Sequence, residues 1–376
     1  MAEPVIEASA SQVSQIEDEI TKELARIWRE LLGVGSVGLD DNYFDLGGDS
    51  PLAVQLFAQI DKAFKVKLPL ATLFEAPTIA DLARILRLQK APRSDWSPLV
   101  TIQPAGSRPP FFCVHGAGGH VLIYRDLSLH LGQDQPFYGL QAQGFDGKHP
   151  PLTQIEDMAA LYVSEIRRVQ PRGPYFIGGY CLGGTIAYEM AQQLRSQGEH
   201  VGLLAMFDTM NWYKVPRPSF FGKRYYEAQR LLFHAANFAR LDSAGKVKFF
   251  WEKVKIFRNR MPVWRGKLLG RFVKHASFAK SKSLMLGQVW ELNDHAAFNY
   301  APQPYPGSVT DFRPVKQYRM CNKPELKWDR LAQGGQKTVT LPVYPAGMLV
   351  EPFVKHLARA LKKCMDDAIP GRQSPR

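Results

Sequence analysis

Two short stretches set reactive side chains among glycines. The first, Asp45-Leu46-Gly47-Gly48-Asp49-Ser50, ends on a hydroxyl where a helix should begin: Pro51 fits the first helical position, and Leu52, Leu56 and Ile60 follow at helical spacing. Glycines there let a bulky group approach the backbone, and the positive end of a helix suits a phosphodiester on the serine. The second, Gly179-Tyr180-Cys181-Leu182-Gly183, follows the apolar run Tyr175–Gly178 and precedes a helical stretch. That is the strand-turn-helix setting of a nucleophile elbow. Cysteine occupies the nucleophile position, and the helix N-terminus is expected to lower its thiol pKa and favour thiolate.

Other residues could serve Cys181. His115-Gly116-Ala117-Gly118-Gly119 follows the apolar run Phe111–Val114, and its turn can aim backbone N–H groups at a developing oxyanion, with Ala117 and Leu182 as the donors. Asp208 lies 27 positions beyond Cys181, after Leu203–Phe207, at the C-terminal end of a strand. Two histidines are candidate bases: His295, in an expected helix before Tyr305-Pro306-Gly307, and His120, beside the oxyanion turn. His130, His200, His234, His275 and His356 read as surface or packing residues. No His/Cys cluster has metal-ligand spacing. Cys113, in an apolar run, reads as buried, and the scatter of four cysteines points to reduced thiols.

The elements that position these residues change character along the chain. Ile20, Leu24, Ile27, Trp28, Leu31 and Leu32 predict an amphipathic helix ending near Gly33 and Gly35. A second helix runs from Pro51 toward Lys62 and a third over Thr78–Leu88, giving a compact helical unit over 14–88. Gln89–Pro98 has linker composition. From residue 99 to 366, the apolar runs at 111–114, 137–140, 175–178, 203–207 and 339–343 alternate with helical stretches such as Met158–Val169 and Ile186–Ser196, which implies a parallel α/β sheet. Residues from about 211 to 292 interrupt that alternation as a basic, aromatic helical insertion, and 367–376 reads as a disordered tail.

Composition narrows the classes. The 376 residues are 45% hydrophobic and 22% charged, ordinary for globular domains, and no stretch approaches the roughly 18 apolar residues of a spanning helix. The polar start has no apolar leader core, so a cytoplasmic location is expected. The net charge of +13 is concentrated in 211–290, which holds about 18 Lys/Arg against about three acids. There Lys246, Lys248, Lys253, Lys255, Arg258 and Arg260 alternate with Phe249, Phe250, Trp251 and Phe257 in the manner of solvated helix faces rather than a nucleic-acid site. An acidic helical unit docking on those faces is a further reading.

FDLGGDS, with Asn42-Tyr43 before it and Leu73-Phe74 and Pro77-Thr78-Ile79 after it, resembles an acyl or peptidyl carrier domain. The resemblance implies 4′-phosphopantetheine attached at Ser50 by a phosphopantetheinyl transferase; Pro51 replaces the usual aliphatic residue. HGAGGH, GYCLGG, FDT, Tyr305-Pro306-Gly307 and the Met348-Leu349-Val350-Glu351-Pro352 turn are similar to the type I thioesterase domains of nonribosomal peptide and polyketide assembly lines. That similarity implies an α/β-hydrolase fold, Cys181 as nucleophile, Asp208 as the acid that orients a histidine, and 211–292 as a lid. The family's Gly-x-His loop, between the last strand and the Met-Leu turn, is missing: Leu341-Pro342-Val343-Tyr344-Pro345-Ala346-Gly347-Met348 runs straight through.

The expected whole is a helical carrier followed by an α/β-hydrolase with a helical lid. It holds an acyl, aminoacyl or peptidyl chain on Ser50 and releases or transfers it through acyl-Cys181, by hydrolysis or to an amine acceptor. Loading falls to adenylation, condensation or ketosynthase enzymes in trans, since no such signature is visible. The alternative is a carrier joined to a catalytically inactive thioesterase-like domain that shelters the loaded chain.

Overall fold

The computed structural model describes residues 10–48, 50–66, 68–88, 96–144, 149–213, 215, 219–241, 243, 246–247, 279–316 and 328–369. The chain forms two compact units, whose described residues fall within Met1–Asp95 together with 279–282, and within Trp96–Val247 and Ser283–Arg376.

The first unit is helical: α1 (Ala10–Leu32), α2 (Ser50–Phe64), the single turn α3 (Thr72–Glu75) and α4 (Ile79–Arg87). The helical spacing of Leu24, Ile27, Trp28, Leu31 and Leu32 places them on one buried face, and α1 packs on α2 and α4, whose Leu56, Phe57, Ile60, Leu82 and Leu86 are buried as well. Burying each such side chain contributes about 1.5–3 kcal/mol. Gly33 ends α1 in the left-handed region, its N–H on the Arg29 carbonyl. Thr78 caps α4, its Oγ1 accepting from the Asp81 N–H at 3.1 Å.

The second unit is a seven-stranded sheet in the order β1-β3-β2-β4-β5-β6-β7. The strands are β1 (Leu99–Gln103), β2 (Phe111–Val114), β3 (Phe137–Leu140), β4 (Tyr175–Tyr180), β5 (Val201–Phe207), β6 (Val309–Pro314) and β7 (Gln336–Leu341). The helices are α5 (Arg125–Leu131), α6 (Ile155–Val169), α7 (Leu182–Ser196), α8 (Phe220–Ala239), α9 (Ala279–Asn299) and α10 (Val354–Ala368). One sheet face, with Phe112, Val114, Ile177, Leu204 and Met206, packs on the apolar sides of α6 and α7.

The sheet is not wholly parallel, because β1 pairs antiparallel with β3 at the edge. β7 spans Gln336–Leu341 rather than 339–343, since Pro342 has no N–H to continue the ladder. Residues 367 and 368 are helical, not tail. α8 and α9 are the described helices of the insertion, and its residues 248–278, with the Lys/Arg-aromatic segment, lie outside the described residues, as do 89–95, Cys321 and the end from 370.

After β2 the chain forms β3 on one side, then crosses to form β4 on the other side of β2. The carboxyl ends of β2 and β4 therefore flank a topological switch point, where open α/β sheets leave a crevice.

Candidate active site

Both reactive segments of the second unit emerge at that crevice. Cys181 links β4 to α7 with φ +55° and ψ −117°, a strained conformation for a residue with a side chain. Close backbone approach maintains it: a Cβ on Gly179 would lie 2.3 Å from the Gly183 carbonyl carbon, and one on Gly183 would lie 2.2 Å from the Val114 oxygen. Glycine at both positions lets α7 descend onto the ends of β2 and β4. The Cys181 N–H donates to the Phe207 carbonyl at 2.9 Å, fastening the elbow to β5.

The thiol does not behave as the helix terminus alone predicts. Burial pushes the Cys181 pKa up to about 12; the Asp208 carboxylate, and more weakly that of Asp294, also raise it, while the Leu182 N–H donates to the sulfur and pulls it down. Desolvation and two nearby negative charges outweigh one amide and the helix dipole. The expectation of a thiolate-favouring site is therefore corrected: the resting group is the thiol.

Asp208 follows β5 with φ +46° and is buried, its N–H on the Phe312 carbonyl at 2.9 Å. Its carboxylate acts directly on the Cys181 thiol.

The glycine turn after β2 closes through the Gly119 N–H donating to the Gly116 carbonyl at 2.9 Å. A Cβ on Gly116 would sit 3.5 Å from the Tyr180 carbonyl oxygen, so this turn abuts the elbow. The Ala117 carbonyl accepts from Asn293 Nδ2 of α9 at 2.9 Å. Trp290 of the same helix packs over Gly118, 3.4 Å from where its Cβ would be, and its indole N–H donates to Asp294 at 3.0 Å. Spacing alone did not single out Trp290, Asn293 or Asp294. Their i, i+3 and i+4 relation on a helix was the available signal.

The two candidate bases are placed differently. His295 is exposed on α9, its ring bonded to the Asn299 amide of the next turn at 2.9 Å. His120 lies beside the oxyanion turn, its Nε2 3.5 Å from the position of a Gly118 Cβ, and burial lowers its pKa to about 4. Its Nδ1 is buried without a hydrogen-bond partner among the described residues. Neither ring hydrogen-bonds to Cys181 or Asp208. His115 is fully buried and occupied by the Gly116 carbonyl and the Tyr162 hydroxyl at 2.7 and 2.8 Å.

After β7 the chain runs through Pro342–Tyr344 directly into a tight turn at Pro345–Gly347. Tyr344 is held there by α8: its N–H donates to Asn237 Oδ1 at 3.1 Å, its ring stacks on Phe233 at 5.3 Å, and Arg240 lies 4.7 Å over it.

In the helical unit, Ser50 begins α2 two positions after Gly48, and the N–H groups of the Gly47-Gly48 turn donate to the Phe44 and Tyr43 carbonyls, both at 2.9 Å. A Cβ on Gly48 would lie 2.3 Å from the Tyr43 ring. A hydroxyl residue opening a 15-residue helix beyond a close-packed glycine turn is the chemistry a phosphodiester-linked arm requires. Among the described residues no group of His, Cys, Asp or Glu could hold a metal ion, and no helix is long and apolar enough to cross a membrane.

Comparison with known proteins assigns both units. Residues 22–86 match the family model described as a phosphopantetheine attachment site, and residues 109–219 match the thioesterase domain. The chain is 45% identical over 196 residues to malpinin synthetase of Mortierella alpina, covering 52% of this chain and 2% of that protein. It is also 45% identical over 193 residues to a dimodular nonribosomal peptide synthase of Bacillus subtilis, covering 51% of this chain and 8% of that protein. It thus spans a small fraction of these relatives. A solved holo four-domain nonribosomal peptide synthetase, bound to AMP and glycine, superposes with a TM-score of 0.56 at 26% identity, covering 96% of this chain and 27% of that one. The chain therefore joins a carrier domain, bearing covalent 4′-phosphopantetheine, to a thioesterase domain of the α/β-hydrolase fold.

Proposed function

We propose that this chain serves nonribosomal-peptide-type biosynthesis by holding an acyl, aminoacyl or peptidyl group as a thioester on the Ser50-linked arm and transferring it through Cys181. The observation that carries the reading is the Cys181 backbone: a strained elbow at the N-terminus of α7, with the Leu182 N–H at the sulfur and the Ala117 turn beside it. Cys181 Sγ attacks the thioester carbonyl and forms the new C–S bond. The carbonyl oxygen becomes an oxyanion facing the Ala117 and Leu182 amides. Collapse breaks the bond to the departing thiol, which takes up the proton that Cys181 gives up. Exchange between two thiols is nearly thermoneutral, so the acyl-enzyme keeps its reactivity. An amine then displaces the Cys181 sulfur to leave an amide, because amines attack thioesters with less base assistance than water does. Of the two candidate bases, His120 is supported by its position beside the turn and its depressed pKa, and His295 is exposed and bonded to Asn299. The partners implied are a phosphopantetheinyl transferase and the adenylation, condensation or ketosynthase activities that load the arm.

A second reading rests on the raised thiol pKa and the missing histidine loop: the hydrolase unit binds the loaded chain without turning it over. Label transfer separates the two. A thioester-loaded full chain should pass its label to Cys181, and Cys181→Ala should retain it on Ser50. Label that stays on Ser50 in both proteins refutes the transfer reading. Ser50→Ala should take no phosphopantetheine by intact mass.

A further inference from the structure

The two arms of the site leave different strands, and something must hold the nucleophile in register with the oxyanion turn. β2 and β4 are paired in parallel through Val114 and Gly179. Beyond that rung, Val114 leads into the His115–Gly119 turn and Tyr180 leads into Cys181. Tyr124 stands at the fork. It ends the short helical turn Leu122–Tyr124 and is fully buried. Its hydroxyl donates to the Val114 carbonyl at 2.5 Å and accepts from the Tyr180 N–H at 3.1 Å. The Cys113 thiol of β2 lies beside it and, after burial, is the largest influence raising its pKa. The single phenol proton is committed to the Val114 carbonyl and a lone pair of the same oxygen receives the Tyr180 N–H, so one hydroxyl joins the two backbones. Burial raises its pKa, which keeps the proton in place for the Val114 carbonyl.

We propose that Tyr124 is a positioning residue that sets the Cys181 nucleophile against the Ala117 oxyanion turn, one hydroxyl holding the backbone group before each arm. The role differs from that of His115, whose ring bonds are to Gly116 and Tyr162 within its own side of the crevice. It rests on the acyl-Cys181 reading for its catalytic consequence, but the strut itself is testable without it.

The discriminating variant is Tyr124→Phe in the full chain. Simple alkylation of Cys181 by iodoacetamide needs no oxyanion donors, whereas acylation by a small N-acetylcysteamine thioester does. The variant should alkylate within about twofold of wild type with an unshifted pH profile, and acylate at least about tenfold more slowly. Equal loss in both reactions, or unchanged acylation, overturns the proposal. A wild type that takes no acyl group refutes the acyl-Cys181 reading instead, and residue-level amide exchange then decides the strut. Tyr124→Phe should accelerate exchange at Tyr180 and residues 115–119 by at least about tenfold and leave α6 unchanged; equal rates overturn it. Should the phenylalanine variant not fold, replacing Tyr124 by 3-fluorotyrosine keeps the hydroxyl and supplies a fluorine resonance. That resonance should move when Cys181 is alkylated, and an unmoved line refutes the coupling.

Discussion

Asp208→Asn separates two roles for the same carboxylate. If Asp208 oriented a histidine base for Cys181, removing its charge would slow every reaction of the thiol. In the structure Asp208 raises the thiol pKa directly, second only to burial, toward a value of about 12. At pH 8 a thiol at that value is ionised to about one part in ten thousand, against about one in ten at the ordinary 9.0; with the greater nucleophilicity of the more basic thiolate, alkylation of wild type should be about 30- to 60-fold slower than that of an exposed cysteine. The rate should climb about tenfold per pH unit from 8 to 11 with no plateau. Losing the carboxylate lowers the pKa, and Asp208→Asn should alkylate about three- to tenfold faster at fixed pH. Iodoacetamide labelling read by peptide mass assigns the adduct to Cys181 and keeps it distinct from the buried Cys113 and Cys364. A plateau near pH 9 in wild type, or slower labelling in Asp208→Asn, refutes the reasoning.

Gly183→Ala would set a methyl 2.2 Å from the Val114 oxygen and 2.6 Å from the His115 oxygen, both backbone atoms. It should cost about 2–4 kcal/mol and lower the melting temperature of the full chain by about 5–10 °C; an unchanged melting curve disproves the close approach. Burial raises the Asp311 pKa to about 6 against the pull of Arg313, so the fold favours its neutral form. That contribution is complete below about pH 4 and is lost as pH rises through about 6. Asp311→Asn should therefore gain on wild type by about 2 kcal/mol between pH 4.5 and 7 in urea unfolding; parallel pH curves contradict it.

The elements most legible in the sequence were those with a clean period. α1 lies where Leu24, Ile27, Trp28 and Leu31 require it, β2 and β3 coincide with the apolar runs at 111–114 and 137–140, and β5 contains the run 203–207 but starts two residues earlier. β6 escaped notice because Asp311, Arg313 and Pro314 interrupt its pattern, and β1 because a five-residue edge strand with Thr101 exposed carries little apolar signal. The elbow and the glycine turn were visible as motifs, since glycine spacing records where backbones must approach. The state of the thiol was not. Its pKa depends on burial and on Asp208 and Asp294, which only the folded chain brings near. The contribution of α9 was hidden for the same reason: Asn293 meets Ala117 across 176 positions of sequence.

That last contact has a thermodynamic consequence. Because Asn293 Nδ2 donates to the Ala117 carbonyl, α9 cannot shift away from the sheet without breaking that bond or dragging the turn with it. A seated helix and a formed turn are therefore linked equilibria, and by reciprocity whatever favours one favours the other to the same extent. A bound acyl chain that steadies α9 would also steady the oxyanion donors, so cargo could license its own transfer before any bond is made.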